Sequence, residues 1–216
     1  MLSARLVTAV KACFNDLGYA FFEDEDGHGY DLNLIGVRSS EQRVAGFFDD
    51  AMMCIYKAQG IWRAHVWPVT TDPGLYYLQK KLLNPQGCAI LAPGQYRSAW
   101  KIGKHFGRPA LVQVNPVKVF RDGNRDKILD WDPDQASQVG LFGINIHDVK
   151  NVPVSELTKT ASAGCQVFAF LREHVALMNL ANKQVNTLGA NAFTYTLIES
   201  SDLDRFLYAG PVEMAA

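Results

Sequence analysis

The chain has 216 residues, of which 48% are hydrophobic and 20% are charged, and its formal net charge at pH 7 is -1. This composition excludes a disordered tail or a coiled coil, and the length favours one domain. The small net charge argues against a nucleic-acid partner, and the short apolar runs argue against a membrane span.

The chain begins with a predicted helix and continues mainly as strands. Apolar residues at helical spacing predict an N-terminal helix that ends at Gly18. Alternating apolar and polar residues predict a strand near 30–38 and then a hairpin around Gln59-Gly60. The hairpin strands are 51–57 and 61–69, and a short helical piece covers 75–83. A helix is expected over 169–184. Further strands are expected at 88–91, 110–114, 117–121, 141–147 and 193–198.

These elements predict a single α+β domain over residues 1–216. Its mainly antiparallel or mixed sheet should curl around the core, with helices at the edges. No repeat and no linker divides the chain.

The four cysteines are widely spaced and form no CxxC pair. Charged residues interrupt the apolar positions near the N-terminus, so no export segment is expected and the chain should be made in the cytoplasm with free thiols. Cys13, Cys54 and Cys88 lie among apolar residues, which favours a packing role. Cys165 lies in a different setting.

A strand predicted to end at His147 is followed, after fourteen residues, by the small-residue turn Ser162-Ala163-Gly164-Cys165. A thiol nucleophile needs a base within hydrogen-bond reach, so this spacing predicts a catalytic pair. Gly164 would let a substrate carbonyl approach, amide groups near Cys165 would form an oxyanion pocket, and Ser162 would orient the imidazole or hold substrate.

Four further residues are predicted to contact substrate. Tyr96 and Arg97 follow a Pro-Gly turn, and an Arg side chain can bind a carboxylate through two hydrogen bonds. Asn145 and Gln166 flank the predicted catalytic pair. A solvated surface explains Tyr96 and Arg97 equally well.

The pattern of His, about fourteen to seventeen residues, then Ser/Thr-His-Gly-Cys resembles the L,D-transpeptidase (YkuD-like) catalytic domain. Here it reads His147, Ser162, Ala163, Gly164 and Cys165, with Ala163 in place of the second His and with Gln166 and Val167 where the family has an Arg or Asn soon after the Cys. The resemblance implies a β-rich catalytic core over residues 86–184 and leaves residues 1–85 without a counterpart. It also implies Cys165 as the acylated nucleophile and His147 as the base.

By the same resemblance, the substrate would be a peptide stem of bacterial peptidoglycan, either hydrolysed or cross-linked through a thioester on Cys165. Action in the periplasm or cell wall would then require release from the cytoplasm, as for a phage lysis protein, a virion component or an injected effector. Two alternatives stay open. One is a catalytically inactive wall-binding or structural module of the same fold, and the other is a cysteine amidase or peptidase with a different substrate.

Metal and nucleotide sites have weaker signals. The acidic segment from Asp122 to Asp134 has oxygen ligands at alternating positions but lacks the Gly and Glu of a calcium loop, so a solvated turn is favoured. No zinc spacing joins His28, His65, His105 and His174, and no phosphate-binding glycine motif is present. No metal or cofactor is therefore expected.

Overall fold

The computed structural model describes residues 2–41, 43–131, 137–149 and 162–208. The helices within these ranges are α1 (Leu2–Asp16), α2 (Leu75–Gln79), α3 (Leu171–Leu188) and α4 (Ser200–Leu207). The strands are β1 (Asn33–Arg38), β2 (Asp50–Ala58), β3 (Ile61–Thr70), β4 (Cys88–Leu91), β5 (Gly94–His105), β6 (Arg108–Gln113), β7 (Val117–Asp122), β8 (Gln138–Gly140), β9 (Ile146–Asp148), β10 (Gln166–Phe168) and β11 (Phe193–Glu199).

Eight of these strands close into a barrel in the order β1-β11-β5-β6-β9-β10-β3-β2, and β4-β7-β8 form a separate sheet. The β1–β11 and β9–β10 pairs are parallel, whereas neighbours such as β2–β3 and β5–β6 are antiparallel. The predicted α+β class with a mixed, curled sheet is confirmed at this level. The helix at the N-terminus and the helix after Cys165 are also confirmed, and the curling goes as far as closure of the barrel.

The barrel contains strands from residues 1–85 and from the predicted catalytic core over residues 86–184. β1, β2 and β3 come from the first 85 residues. β1 pairs with β11, β3 pairs with β10, and β2 lies between β1 and β3. Residues 1–85 therefore supply three of the eight barrel strands.

Two apolar layers explain why β1 is buried along its whole length. Leu34 belongs to a cluster that fills the barrel and includes Leu177 and Ala181 of α3. The next residue, Ile35, belongs to a second cluster in which α1 packs on the outside of the barrel. Successive side chains of a strand point to opposite faces, so a strand covered on both faces is a nearly continuous apolar run.

The hairpin between β2 and β3 lies where the sequence predicted it, whereas the strand that carries His147 begins later than predicted. Gln59 and Gly60 both have positive φ, 53° and 73°, and connect β2 to β3 as the hairpin prediction required. The strand predicted at 141–147 is shorter than expected, because residues 141–145 are irregular and pairing begins at Ile146. Among the described residues, no helix has the length and apolarity needed to cross a bilayer.

Candidate active site

Cys165 and His147 come together because β9 and β10 are parallel neighbours in the barrel. Gln166 is in register with Ile146, so Cys165, one residue earlier, lies beside Asn145 and next to the strand that carries His147. The sulfur of Cys165 and one ring nitrogen each of His147 and His105 all lie within 4.8 Å of one another. The predicted pair is thus brought together, with a second imidazole beside it.

One backbone hydrogen bond fixes the tautomer of His147. Its Nδ1 lies 2.7 Å from the carbonyl oxygen of Asp148, which can only accept, so Nδ1 carries the proton. Nε2 therefore holds a lone pair, and it is buried without a hydrogen-bond partner in the described part of the chain. Burial is the main cause that lowers the pKa of His147 to about 4, so the ring is neutral at pH 7.

The thiol of Cys165 is also neutral at rest. The side chain is buried, with 9% of the residue exposed, and burial raises its pKa to about 11 against the opposing effect of the Asn145 N–H. That N–H donates to the sulfur at 3.4 Å, and the thiol donates to the carbonyl of Gly143 at 3.5 Å. The pair is accordingly a thiol facing a neutral base, in which proton transfer accompanies attack.

His105, at the end of β5, is the site residue that sequence reasoning missed. Its ring stacks on that of His147, with centroids 4.4 Å apart and planes at 29°. Asn145 Oδ1 accepts the Gln113 N–H at 3.0 Å, so its amide nitrogen is the atom that donates to His105 Nδ1 at 2.9 Å. This assignment leaves the proton of the neutral His105 ring on Nε2.

The turn before β10 holds Cys165 in place. Ser162 Oγ accepts the Gly164 N–H at 2.9 Å and donates to the Cys165 carbonyl at 2.8 Å. Its hydroxyl is therefore used within its own turn, and the structure gives Ser162 a positioning role in place of the predicted contact with imidazole or substrate. Gly164 has φ +127° and passes so close to Ala89 that an added Cβ would lie 2.4 Å from the Ala89 oxygen.

Two of the amide groups near Cys165 that the sequence offered as oxyanion donors already have acceptors. The N–H of Gly164 bonds to Ser162, and the N–H of Gln166 donates to the Asn145 carbonyl at 2.9 Å. The backbone N–H that faces the sulfur belongs to Asn145.

A cavity of about 330 Å³ opens beside these side chains. Its wall combines parts of the barrel with the sheet formed by β4 and β7, and Arg121 of β7 adds a guanidinium that lies 5.0 Å from the centroid of the Phe142 ring. The lining includes Tyr77, Leu83, Asn84, Cys88, His105, Phe106, Arg121, Phe142, His147, Ala163 and Cys165. Cys165, His147 and His105 therefore all border one open cavity.

Three residues predicted to contact substrate lie elsewhere. Tyr96 donates to the Ala92 carbonyl at 2.6 Å, and the Arg97 guanidinium lies over the ring of Phe22. Both are near the opposite end of β5 from His105, about 25 Å along the strand from it. Gln166 is fully buried and accepts a hydrogen bond from the Tyr195 hydroxyl at 2.9 Å, so it belongs to the barrel interior. Asn145 is the one of the four that lies at the site.

The structure also places the other three cysteines and part of the acidic segment. Cys13, Cys54 and Cys88 are buried free thiols in apolar clusters, as predicted. In the acidic segment, the Asn124 amide donates to the carboxylates of Asp126 and Asp130. Asp132 and Asp134 lie outside the described residues.

Comparisons with protein-family models, with curated proteins and with solved structures find no match to this chain.

Proposed function

We propose that the protein is a cysteine-dependent acyl-transfer enzyme, with Cys165 as nucleophile and His147 as base. The observation that carries the proposal is the approach of the Cys165 sulfur and a ring nitrogen of His147 to within 4.8 Å at the wall of an open cavity. The Asp148 carbonyl occupies Nδ1, so the lone pair of Nε2 is available to accept the thiol proton.

The reaction begins with the sulfur attacking an amide carbonyl carbon. The thiol proton moves to His147 Nε2 as the C–S bond forms, and the carbonyl electrons become an oxyanion. The Asn145 backbone N–H, which donates to the sulfur at rest, is the donor that we assign to that oxyanion. Collapse breaks the C–N bond, the His147 proton goes to the departing amine, and a thioester remains on Cys165.

Resolution of the thioester needs a second nucleophile. Water gives a carboxylic acid and makes the enzyme a peptidase, whereas an amine gives a new amide and makes it a transpeptidase. In either case His147 accepts the proton of the incoming nucleophile, the C–S bond breaks, and His147 returns that proton to the sulfur, which restores the thiol and the neutral base.

The substrate class is a peptide stem of peptidoglycan, and its support is the L,D-transpeptidase-like spacing of His147 and the Ser162-Ala163-Gly164-Cys165 turn. Ala163 replaces the second His of that motif, and His105 brings an imidazole to the site from another strand. Arg121 at the cavity wall suits a substrate with a free carboxylate. Action on such stems would place the enzyme at the bacterial cell wall.

A second candidate is an inactive module of the same fold that binds cell wall. It is favoured by the burial of Cys165 and by its raised thiol pKa, because an inert cysteine has these properties. The cavity next to the sulfur favours the enzyme.

Purified muropeptides test the proposal. Wild-type protein should consume them or join them, and Cys165→Ala should reduce turnover by about 10³-fold or more, as loss of a nucleophile does. Cys88→Ala is the matched control, because Cys88 lines the same cavity without a role in the reaction, and its turnover should match wild type. Equal turnover by wild type and Cys165→Ala would overturn the proposal.

A further inference from the structure

The three polar side chains at the site have the chemistry of a metal centre. One thiol and two imidazoles offer ligand atoms within 4.8 Å of one another, and they come from β5, β9 and the turn before β10. The Zn–S and Zn–N bonds of a tetrahedral site are about 2.3 and 2.0 Å, which sets its ligand atoms roughly 3.5 Å apart. A closing movement of about 1 Å would therefore complete the set.

The surroundings of His147 already match those of a metal ligand. Histidines that bind zinc usually donate their other N–H to a carbonyl or carboxylate, which orients the ring. His147 donates Nδ1–H to the Asp148 carbonyl, and its Nε2 is buried without a partner among the described residues. Such an atom loses hydrogen-bonding capacity on folding, and a cation would satisfy it.

We infer that Cys165, His147 and His105 form a binding site for one zinc ion, and that occupation of this site blocks the thiol. Zinc is the metal that a sulfur and two imidazoles favour. On binding, Cys165 loses its proton to solvent and forms the Zn–S bond, and each imidazole donates one lone pair. The fourth position faces the cavity and takes water.

With zinc bound, the only ring-nitrogen lone pair of His147 is held by the ion, so the base of the proposed reaction is lost, and donation to the ion makes the sulfur a weaker nucleophile. The zinc site uses the same atoms as the proposed reaction but does not depend on that reaction. Metal binding and turnover can therefore be measured separately.

Asn145 controls how well His105 can serve as a ligand. At rest its amide nitrogen donates to Nδ1 of His105, which keeps the ring proton on Nε2. In the proposed site His105 binds the ion through Nε2, so that proton must move to Nδ1, where it needs an acceptor. Asn145→Asp supplies one: one carboxylate oxygen keeps the bond from Gln113 N–H and the other accepts from Nδ1.

The test is titration of metal-free protein with Co²⁺, read by the thiolate-to-cobalt absorption band, followed by displacement with Zn²⁺ to obtain the zinc affinity. Wild type should bind one ion with the band present and release about one proton per ion at neutral pH. Cys88→Ser is the matched control, since it removes another thiol of the same cavity, and it should bind like wild type.

Three variants locate the ligands. Cys165→Ser should abolish the band, His105→Ala should weaken binding by about 10-fold or more, and Asn145→Asp should tighten it by about 10-fold. Melting curves of the metal-free variants show whether each is folded. Absence of one-to-one binding by wild type, or a band that persists in Cys165→Ser, would overturn the site.

Turnover of muropeptides separates this inference from the proposed function. Zinc at one equivalent should inhibit wild type, and a chelator should restore full turnover. Activity that requires zinc would overturn both the blocking role and the free-thiol mechanism. Full turnover by a wild-type protein that binds no metal in the titration would overturn the zinc site alone.

Discussion

At the scale of single residues, the reactivity of Cys165 depends on the ring beside it. Burial disfavours the free thiolate, so attack by the sulfur needs a base that accepts the proton during the reaction. His147 meets this need because its own proton is held on Nδ1 by the Asp148 carbonyl. The low pKa of His147 keeps it in the base form at neutral pH.

This dependence can be measured without a substrate. His147→Gln should slow alkylation of Cys165 by iodoacetamide at pH 7 by about 10²-fold, the usual contribution of a general base. The rate is followed by mass spectrometry of the labelled peptide in the presence of a chelator. His65→Gln is the control, because the His65 ring stacks between Tyr56 and Trp67, and it should leave the rate unchanged. An equal rate in His147→Gln would show that the imidazole does not serve the sulfur.

A second residue-scale prediction concerns the turn that holds the sulfur. Gly164→Ala adds a Cβ 2.4 Å from the Ala89 oxygen at φ +127°, so the turn must move. We expect a loss of about 3 kcal/mol in unfolding free energy and reduced turnover. Gly60→Ala, where φ is +73° and the Cβ meets nothing within 4 Å, should cost about 1 kcal/mol. Urea denaturation measures both, and equal losses would contradict the steric explanation.

At the scale of elements, the barrel and the second sheet contribute different residues to the site. The barrel carries His105 on β5, His147 on β9 and Cys165 in the turn before β10, whereas β4 and β7 contribute other residues to the cavity wall. Arg121 of β7 is held there by hydrogen bonds to the Gln138 side chain and the Gly87 carbonyl. A cation fixed on the wall of this cavity is suited to binding substrate.

Arg121→Gln should therefore raise KM for a muropeptide with a free carboxylate by about 10-fold while kcat changes little. Amidation of that carboxylate should remove the difference between the two proteins. Arg97→Gln, which changes the arginine that the sequence favoured, should leave KM unaltered because Arg97 lies over Phe22 away from the cavity. A change in kcat alone would contradict a binding role for Arg121.

The arrangement of the strands explains why the pair of His147 and Cys165 could be predicted from the sequence and His105 could not. His147 and Cys165 are eighteen positions apart, and the motif spacing that joins them reflects one parallel strand pair. His105 arrives through β5, which the sequence analysis did not predict as a strand. Its hairpin turn at Phe106-Gly107, both with positive φ, was the available signal.

At the scale of the whole molecule, closure of the barrel explains why the fold class could be predicted from the sequence but the barrel architecture could not. Apolar patterns predicted most strands, but pairing of β1 with β11 joins residues more than 150 positions apart. Local periodicity contains no information on such partners. The same limit applied to Gln166, whose place in the interior depends on Tyr195.

The buried histidines also link stability to pH. The pKa of His147 is lowered from 6.5 to about 4, and that of His174 is lowered as well, in both cases mainly by burial. The charges of His105, His174 and Arg108 further oppose protonation of His147. Between pH 6.5 and 4 the unfolded chain binds more protons than the folded chain, so stability is full above pH 6.5 and falls as the pH decreases.

The His147 shift corresponds to about 3 kcal/mol lost by pH 4. Urea denaturation between pH 7.5 and 4, in the presence of a chelator, should show this fall in wild type. His147→Gln should show a shallower fall, because Gln has no proton to bind. Identical pH profiles for the two proteins would contradict a buried neutral His147.

Intact-protein mass spectrometry of wild type mixed with purified muropeptides, followed by peptide mapping, tests acyl transfer most directly. We predict an acid-quenched adduct equal in mass to the peptide acyl group, mapped to Cys165 and absent from Cys165→Ala. Turnover with no adduct on Cys165, or an adduct on another cysteine, would contradict the proposed role of this sulfur.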